Sequence, residues 1–390
     1  MLKLFEAFSG VGAQRMALRN LGIEHESVGV SEIDIPALIS YSAIHEDLLG
    51  DTDFNYPSKE EMIEYLESKR IGLDVKTGKI KLPKQLDKLK LIYKASVLSK
   101  CVGDISIIDP HDLPDMDLFT YSFPCQDLSV AGQRAGMIKG QTRSGLLYEC
   151  EKIIEVKRPK YLLLENVKNL VGKNFKSQFE EWLAYLESLG YTNYWQVLNA
   201  KDWVPQNRER VFVVSILGDH STYVFPTPIP STRVVKDILE DEVEERYYMN
   251  KPFKLVDNKN YPAEFTTSVF EQPFKTLAAG DKGQNNILVK AYVEGLNELN
   301  SRVYGVEGII GALNTMQGGH REPKILVDYR VRKLTPLECW RLMGFSDDDF
   351  NKAKSVGTSN SQLYKQAGNS IVVPVLEGIF EPLINNAKER

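Results

Sequence analysis

The sequence predicts a doubly wound α/β domain with a mostly parallel sheet, into which a smaller β-rich lobe is inserted. Three observations lead there. The first 220 residues alternate β-prone runs with helical runs, the pattern of a parallel sheet covered by helices on both faces. Glycines and acids fall where those strands should end. From residue 219 the texture changes to prolines, an acidic run and short β-like pieces, and α/β texture returns at Arg332.

In chain order, residues 2–8 read as strand, 13–21 as helix, 27–32 as strand and 34–46 as helix. Residues 117–123 form the next strand, followed by a helix near 144–155 and a strand at 160–165. Phe175, Phe179, Trp182, Leu183, Leu186 and Leu189 then recur with a period near 3.6, a helix that Gly190 stops. Strands at 194–198 and 211–217 complete the series. Between about 51 and 100 a lysine-rich, partly helical insertion interrupts it; a solvated surface extension is expected there, with contact to a polyanion as the alternative. The expected organisation is a domain of residues 1–220, a lobe of 221–331, and a final segment 332–390 returning to the first domain. Within the lobe, 271–290 and 307–327 echo each other and read as two related β-hairpins.

Bulk properties narrow the class. A chain of 390 residues allows two or three domains, and a formal charge of −5 excludes a histone-like polycation without excluding a local basic cleft. Cys101, Cys125, Cys150 and Cys339 lie far apart, so reduced thiols are expected and neither a disulfide framework nor a metal site. No uninterrupted apolar run suggests a membrane span, and Glu6 interrupts any signal peptide, so a cytoplasmic protein is expected.

The motifs carry the chemistry. "FSGVG" (8–12) follows the first strand and opens a helix, with Gly10 and Gly12 where a backbone turns tightly beside a ligand. On this pattern alone a plain strand–helix turn remains an alternative. Glu32 closes the second strand, where a carboxylate can accept both hydroxyls of a ribose. "GDI" supplies Asp104, suited to an adenine amino group, and Ile105, able to pack on the ring. Together they suggest an adenosine-bearing cofactor without a pyrophosphate. In "TYSFPCQDLS" a strand stops at Pro124-Cys125. A thiol behind a proline at a strand end reads better as an accessible nucleophile than as a core cysteine. "ENV" brings Glu165 to the same sheet edge, and "QNRER" brings Arg208 and Arg210, donors for a carbonyl or phosphate oxygen.

With "RSGLLYE" (143–149), "LTPLECWRLMGF" (334–345) and "AGNSIVVPV" (367–375), these motifs occur in an order that resembles the DNA cytosine-5 methyltransferase family of prokaryotic or phage restriction–modification type. The resemblance implies a Rossmann-like S-adenosylmethionine-dependent sheet with a β-rich target-recognition lobe. It implies a methyl group moved from S-adenosyl-L-methionine to C5 of a flipped cytosine in duplex DNA, by attack of Cys125 on C6. Glu165 then matches the partner of N3 and the exocyclic amine, Arg210 the contact to O2, Arg208 a residue that orders the site, and Pro124 a wall of the pocket. Phe8, Gly10, Gly12, Glu32, Asp104, Ile105, Leu146 and Asn369 match cofactor contacts, and 129–143 matches a mobile loop. The chain departs at Glu6-Ala7, where the family shows Asp-Leu, and at Ile33, where it often has an aromatic. Thr276, Asn285, Thr315, Gln317, His320 and Arg321 offer polar groups for base edges in the lobe. A separate cognate endonuclease and monomeric action are expected. A tRNA cytosine-5 methyltransferase is the alternative within the same fold, but the absence of cysteine between Cys150 and Cys339 argues against it. A silent DNA-binding regulator is the other alternative; the presence of Cys125 and Glu165 argues against that.

Overall fold

The computed structural model describes residues 1–50, 53–124, 143–256 and 287–388. Its centre is a six-stranded sheet built from β1 (Leu2–Ala7), β2 (His25–Ser31), β5 (Leu118–Tyr121), β6 (Tyr161–Val167), β7 (Tyr191–Asn199) and β9 (Glu209–Leu217), in the order β2-β1-β5-β6-β9-β7. β1, β2, β5 and β6 pair in parallel, whereas β9 runs antiparallel to both β6 and β7.

β1, β5, β6 and β9 are largely buried on both faces, whereas the edge strand β7 is partly exposed, and a period of two decides which residue faces which core. Leu4, Leu118, Leu163, Phe212 and Val214 enter one core; their neighbours Phe5, Phe119, Leu162, Leu164, Val211 and Val213 enter the other. The first core is filled by α1 (Ala13–Asn20) and the C-terminal helices, the second by α5 (Leu147–Lys157) and α6 (Lys176–Ser188). Each large side chain so buried contributes about 1.5–3 kcal/mol. This sandwich is the α/β architecture expected.

The insertion is more than a surface extension. α3 (Lys59–Ser68), a short hairpin of β3 (Leu73–Asp74) and β4 (Lys79–Ile80), and α4 (Leu86–Leu98) bury Met62, Leu66, Leu89, Ile92 and Ala95 against α2 (Ile35–His45) in a third core. Most of its lysines are at least partly exposed while this apolar stripe packs inward, but Lys94 is buried.

Packing continues across the expected 220/221 boundary, since Tyr223, Val235 and Ile238 join the first core. Beyond them β10 (Phe253–Leu255), β11 (Val289–Val293), β12 (Arg302–Gly305), β14 (Lys324–Val327) and β15 (Arg330–Lys333) form a second sheet, in the order β10-β11-β12-β14-β15, over a small core of Leu255, Ala291, Val293, Val303 and Val331. The hairpin expected at 307–327 does not form. β13 (Ile310–Gly311) pairs instead with β8 (Gln206–Asn207) of the first domain, and β14 pairs in parallel with β12. Ile310 and Leu313 are buried in the main core, and that burial outweighs local pairing across the glycine turn. The companion segment 271–290 lies mostly outside the described residues.

The chain returns through α8 (Pro336–Arg341), α9 (Asp347–Ser355), α10 (Asn360–Asn369) and α11 (Val373–Lys388), after the short α7 (Glu298–Ser301) in the lobe. The stretch Asn360–Ile384 is long and apolar enough to cross a membrane by composition, contrary to expectation, but most of it is buried and it breaks into two helices at Ser370. The return is pinned by Glu338, whose carboxylate accepts two bonds from Arg332 at 2.8 and 2.7 Å and one from the Thr335 amide at 2.8 Å, with both partners of the ion pair buried. Breaking a buried pair strands a charge. Glu338→Ala should therefore lower the free energy of unfolding by about 3–5 kcal/mol, and Thr335→Ala, which loses the helix cap and a hydroxyl bond to Glu240, by about 1–2 kcal/mol. Urea titration followed by tryptophan fluorescence reads both; a Glu338→Ala loss no larger than that of Thr335→Ala contradicts the assignment.

Candidate functional site

A cavity of about 950 Å³ opens along the carboxyl edge of the parallel strands. Its first wall is the turn after β1. Phe8, Gly10 and Gly12 adopt φ of 57°, 55° and 79°, and the Ser9 amide donates to the Ser31 carbonyl at 3.3 Å, joining the turn to the end of β2. Phe8 and Gly10 line the cavity. Gly12 does not: it opens α1, and a Cβ there would stand 2.4 Å from His45 Nε2. Its role is conformational.

Glu32 follows β2 and braces this wall. One carboxylate oxygen accepts from the Gly10 amide at 3.0 Å, the other from the Ile33 and Asp34 amides at 2.8 Å each. Burial nonetheless pushes its carboxyl up to about 7, helped by the charge of Asp34. Asp104, Ile105, Leu146 and Asn369 also line the cavity. Glu6 faces away from the cavity. It accepts from Tyr41 Oη at 2.6 Å and from the Arg15 amide at 3.3 Å, with its carboxyl raised by burial to about 7.

The other half is built from the ends of β5, β6 and β9. Ser122, Phe123 and Pro124 follow β5 and line the cavity; Cys125 lies outside the described residues. Glu165 and Arg210 lie on the two strands of the antiparallel β6–β9 pair, and Arg210 Nε sits 3.1 Å from Glu165 Oε1. Burial raises the Glu165 carboxyl, opposed by the charges of Arg210 and Arg208 and by a hydrogen bond from Ser122. Arg208 is buried and donates to the carbonyls of Leu313 at 2.9 Å, Gly368 at 3.1 Å and Ser370 at 3.0 Å. Between them Glu209 turns outward to Lys168 at 2.8 Å, as alternation requires. The cavity thus collects Phe8, Gly10, Glu32, Asp104, Ile105, Pro124, Leu146, Glu165, Arg208, Arg210 and Asn369 from segments spread over the chain.

Other contributors reach the site as well, among them Thr315 and Gln317, two of the lobe residues singled out from the sequence. Asn166 Nδ2 donates to the Phe123 carbonyl at 3.1 Å and ties the Pro124 turn to β6, so that oxygen already carries one partner. Of the other lobe residues, Thr276 and Asn285 lie outside the described residues. Ser9 Oγ and Gln366 Oε1, on residues lining the cavity, are buried with no hydrogen-bond partner among the described residues. Orphaned polar atoms in a cavity lined by Glu32 and Asp104 among other carboxylates, with apolar Ile105 and Leu146, suit a polar, adenosine-bearing ligand.

The remaining thiols are poor nucleophiles. Cys101, Cys150 and Cys339 are buried, and burial pushes Cys101 up to about 11 and raises the other two well above the usual thiol range.

Comparison with known proteins agrees with this geometry. The family model for C-5 cytosine-specific DNA methylase matches residues 57–385. The chain is 46% identical to the Type II methyltransferase M2.ScrFI of Lactococcus lactis subsp. cremoris, over 99% of this chain and 100% of that protein. It is 36% identical to the Orphan methyltransferase M.SssI of Spiroplasma monobiae, over 98% and 97%. Among solved structures, S. pombe Dnmt2 methyltransferase aligns with a TM-score of 0.60 at 16% identity over 99% of both chains. The Entamoeba histolytica methyltransferase EhMeth aligns at 0.56 and 15%, also over 99% of both. At such identities the structures show a shared fold.

The two loop glycines should behave differently. Gly12→Ala should cost about 2–5 kcal/mol, from left-handed backbone strain and displacement of His45. A Cβ at Gly10 meets nothing within 4 Å, so Gly10→Ala should cost only the backbone part, about 1–2 kcal/mol. Equal losses in chemical denaturation count against the structural role given to Gly12.

Proposed function

The chain belongs to the C-5 cytosine-specific DNA methylases, which move a methyl group from S-adenosyl-L-methionine to C5 of cytosine in DNA, and we propose that the residues of this cavity divide that work as follows. The observation that carries the assignment is the Glu165–Arg210 pair beside Pro124, in one cavity with Glu32 and Asp104.

Glu32 accepts the ribose hydroxyls, Asp104 the adenine amine, and Ile105 packs on the ring; Phe8, Gly10, Leu146 and Asn369 complete the cofactor side. Bound S-adenosyl-L-methionine supplies an electrophilic methyl group on a positively charged sulfur. The target cytosine must leave the base stack to reach the cavity, at a cost of a few kcal/mol. Cys125, the one cysteine that the buried set leaves over, adds as thiolate to C6, forming the S–C6 bond and pushing the ring electrons toward N3 and O2. Glu165, kept protonated more readily by burial, donates to N3, while Arg210 donates to O2; both favour the charge that attack creates. C5, now electron-rich, would take the methyl group as the sulfonium S–CH3 bond breaks and neutral S-adenosylhomocysteine leaves. Loss of the C5 proton to a base then breaks the S–C6 bond and releases Cys125. Arg208 acts as a positioning residue through the three carbonyls it holds.

We read residues 221–331 as the target-recognition region, from which Thr315 and Gln317 reach the cavity. A soluble cytoplasmic monomer modifying duplex DNA beside a separate endonuclease fits best; the name Type II methyltransferase of the relative at 46% identity supports that pairing.

Cys125→Ser should abolish transfer of labelled methyl groups to duplex DNA, and 5-fluorocytosine in the target should trap a covalent complex with the unaltered protein. Wild-type turnover by Cys125→Ser would remove the nucleophile from the scheme. Glu165→Gln should lower kcat by about 10²-fold or more while leaving cofactor affinity close to wild type; an unchanged kcat contradicts its role as acid.

Binding of S-adenosylhomocysteine should depend on pH through Glu32. Its carboxyl is raised to about 7, so below that pH the free protein holds a proton that must leave before both oxygens can accept. Affinity should therefore rise with pH through about 7, by at most about tenfold per unit, and Glu32→Gln should flatten the profile. A profile that keeps its slope in that variant assigns the titration to another group.

A further inference from the structure

The insertion brings two of its parts to the cavity. The hairpin β3–β4 and the residue after it contribute Leu73, Asp74, Val75 and Lys81 to the wall. The turn ahead of it, at the end of α3, is bonded to the acid end of the cavity on two sides. The Gly72 amide donates to the Ile33 carbonyl, and the Asp104 amide donates to the Lys69 carbonyl, both at 2.9 Å. These approaches leave no room for side chains: a Cβ on Gly103 would lie 1.9 Å from the Lys69 oxygen, and one on Gly72 would lie 2.9 Å from the Lys81 oxygen.

Arg70 stands in that turn. α3 ends with the Ile71 amide donating to the Leu66 carbonyl and the Arg70 amide donating to the Glu67 carbonyl, both at 2.9 Å, and Arg70 itself adopts φ 53°. Glycine is the residue such a helix end favours, and an L residue there stores strain. Strain kept at one position asks what its side chain does. Arg70 Nη1 reaches Asp104 Oδ2 at 3.3 Å, with 46% of the arginine side chain and 10% of the aspartate side chain exposed. The other oxygen, Oδ1, accepts from the Ser106 amide at 3.0 Å. Asp104 is thus held at both oxygens while still lining the cavity.

We propose that Arg70 is a positioning residue for the cofactor: from the insertion, it fixes the Asp104 carboxylate toward the exocyclic amine of adenine and so makes the site selective for a 6-amino purine. The inference rests on the reading of this cavity as the S-adenosyl-L-methionine site. A carboxylate accepts hydrogen bonds and cannot donate them. It therefore favours an amine at position 6 and opposes a carbonyl oxygen there. Pairing with a guanidinium stops the group from turning away. The insertion, on this account, forms the adenine wall of the site.

The test is calorimetric binding of S-adenosylhomocysteine and of S-inosylhomocysteine, in which oxygen replaces the amine. Arg70→Gly places the favoured residue in the turn, so it should melt at the wild-type temperature or above. It should nonetheless bind S-adenosylhomocysteine about fivefold more weakly, the upper end of what a half-exposed ion pair supplies. It should also lose that share of its preference over the inosyl compound. Arg70→Lys should recover part of both. In an Asp104→Asn background Arg70→Gly should add nothing. Wild-type affinity and preference in Arg70→Gly overturn the inference, as does a full loss that persists without the Asp104 carboxylate. If Glu32→Gln and Asp104→Asn weaken binding and Arg70→Gly does not, only the role of Arg70 falls. If none of the three does, the cofactor reading falls with it.

Discussion

A single buried guanidinium holds the two halves of this molecule around one cavity. Arg208 follows β8 and donates to the carbonyls of Leu313, Gly368 and Ser370, which belong to the lobe and to the end of α10. A charge taken out of water costs several kcal/mol unless its donors are satisfied. The protein satisfies these donors with oxygens from segments more than 100 residues away, so the lobe, the C-terminal helices and the sheet edge must meet there. Gln206 reinforces the junction by accepting from the Leu313 amide at 2.9 Å and donating to the Leu342 carbonyl at 3.2 Å. Two residues beyond Arg208 along an extended chain, Arg210 faces the same cavity, and its position beside Glu165 follows from where Arg208 is anchored.

The cavity this creates has two electrostatic characters. At one side Glu32 and Asp104 present their carboxyl groups to the cavity. At the other, Glu165 stands against Arg210 at the mouth of β6 and β9, where burial raises the acid and the neighbouring cations oppose that rise. The balance leaves a raised carboxyl beside a guanidinium donor. Both kinds of chemistry share the carboxyl edge of one sheet because parallel strands deliver their ends, and the turns that follow, to the same side.

Much of this was readable from residue order. The motif ends fell at strand ends, the strand–helix alternation matched the sheet, and Glu32, Asp104, Glu165, Arg208 and Arg210 all reached the cavity. Harder to read were contacts set by packing between distant elements. Asn166 bonding the Phe123 carbonyl, Thr315 and Gln317 entering from the lobe, and the insertion forming a wall through Leu73 and Lys81 carry no local pattern. The segment 307–327 looked like a hairpin because its glycines and flanking apolar residues have hairpin spacing. Burial of Ile310 and Leu313 in the main core drew its first strand to β8 instead.

By itself, the sequence determined the period of its strands and helices, the glycines and caps that end them, and the reactive residue types placed at those ends. These are properties of neighbours along the chain, governed by backbone sterics and by which face of each element is apolar. Tertiary structure alone decided that Gly12 yields to His45 rather than to a ligand, that Glu6 turns inward to Tyr41, and that Arg70 meets Asp104 across 34 residues. Those outcomes depend on how separate elements share space and satisfy one another's buried polar groups, and no local spacing encodes them.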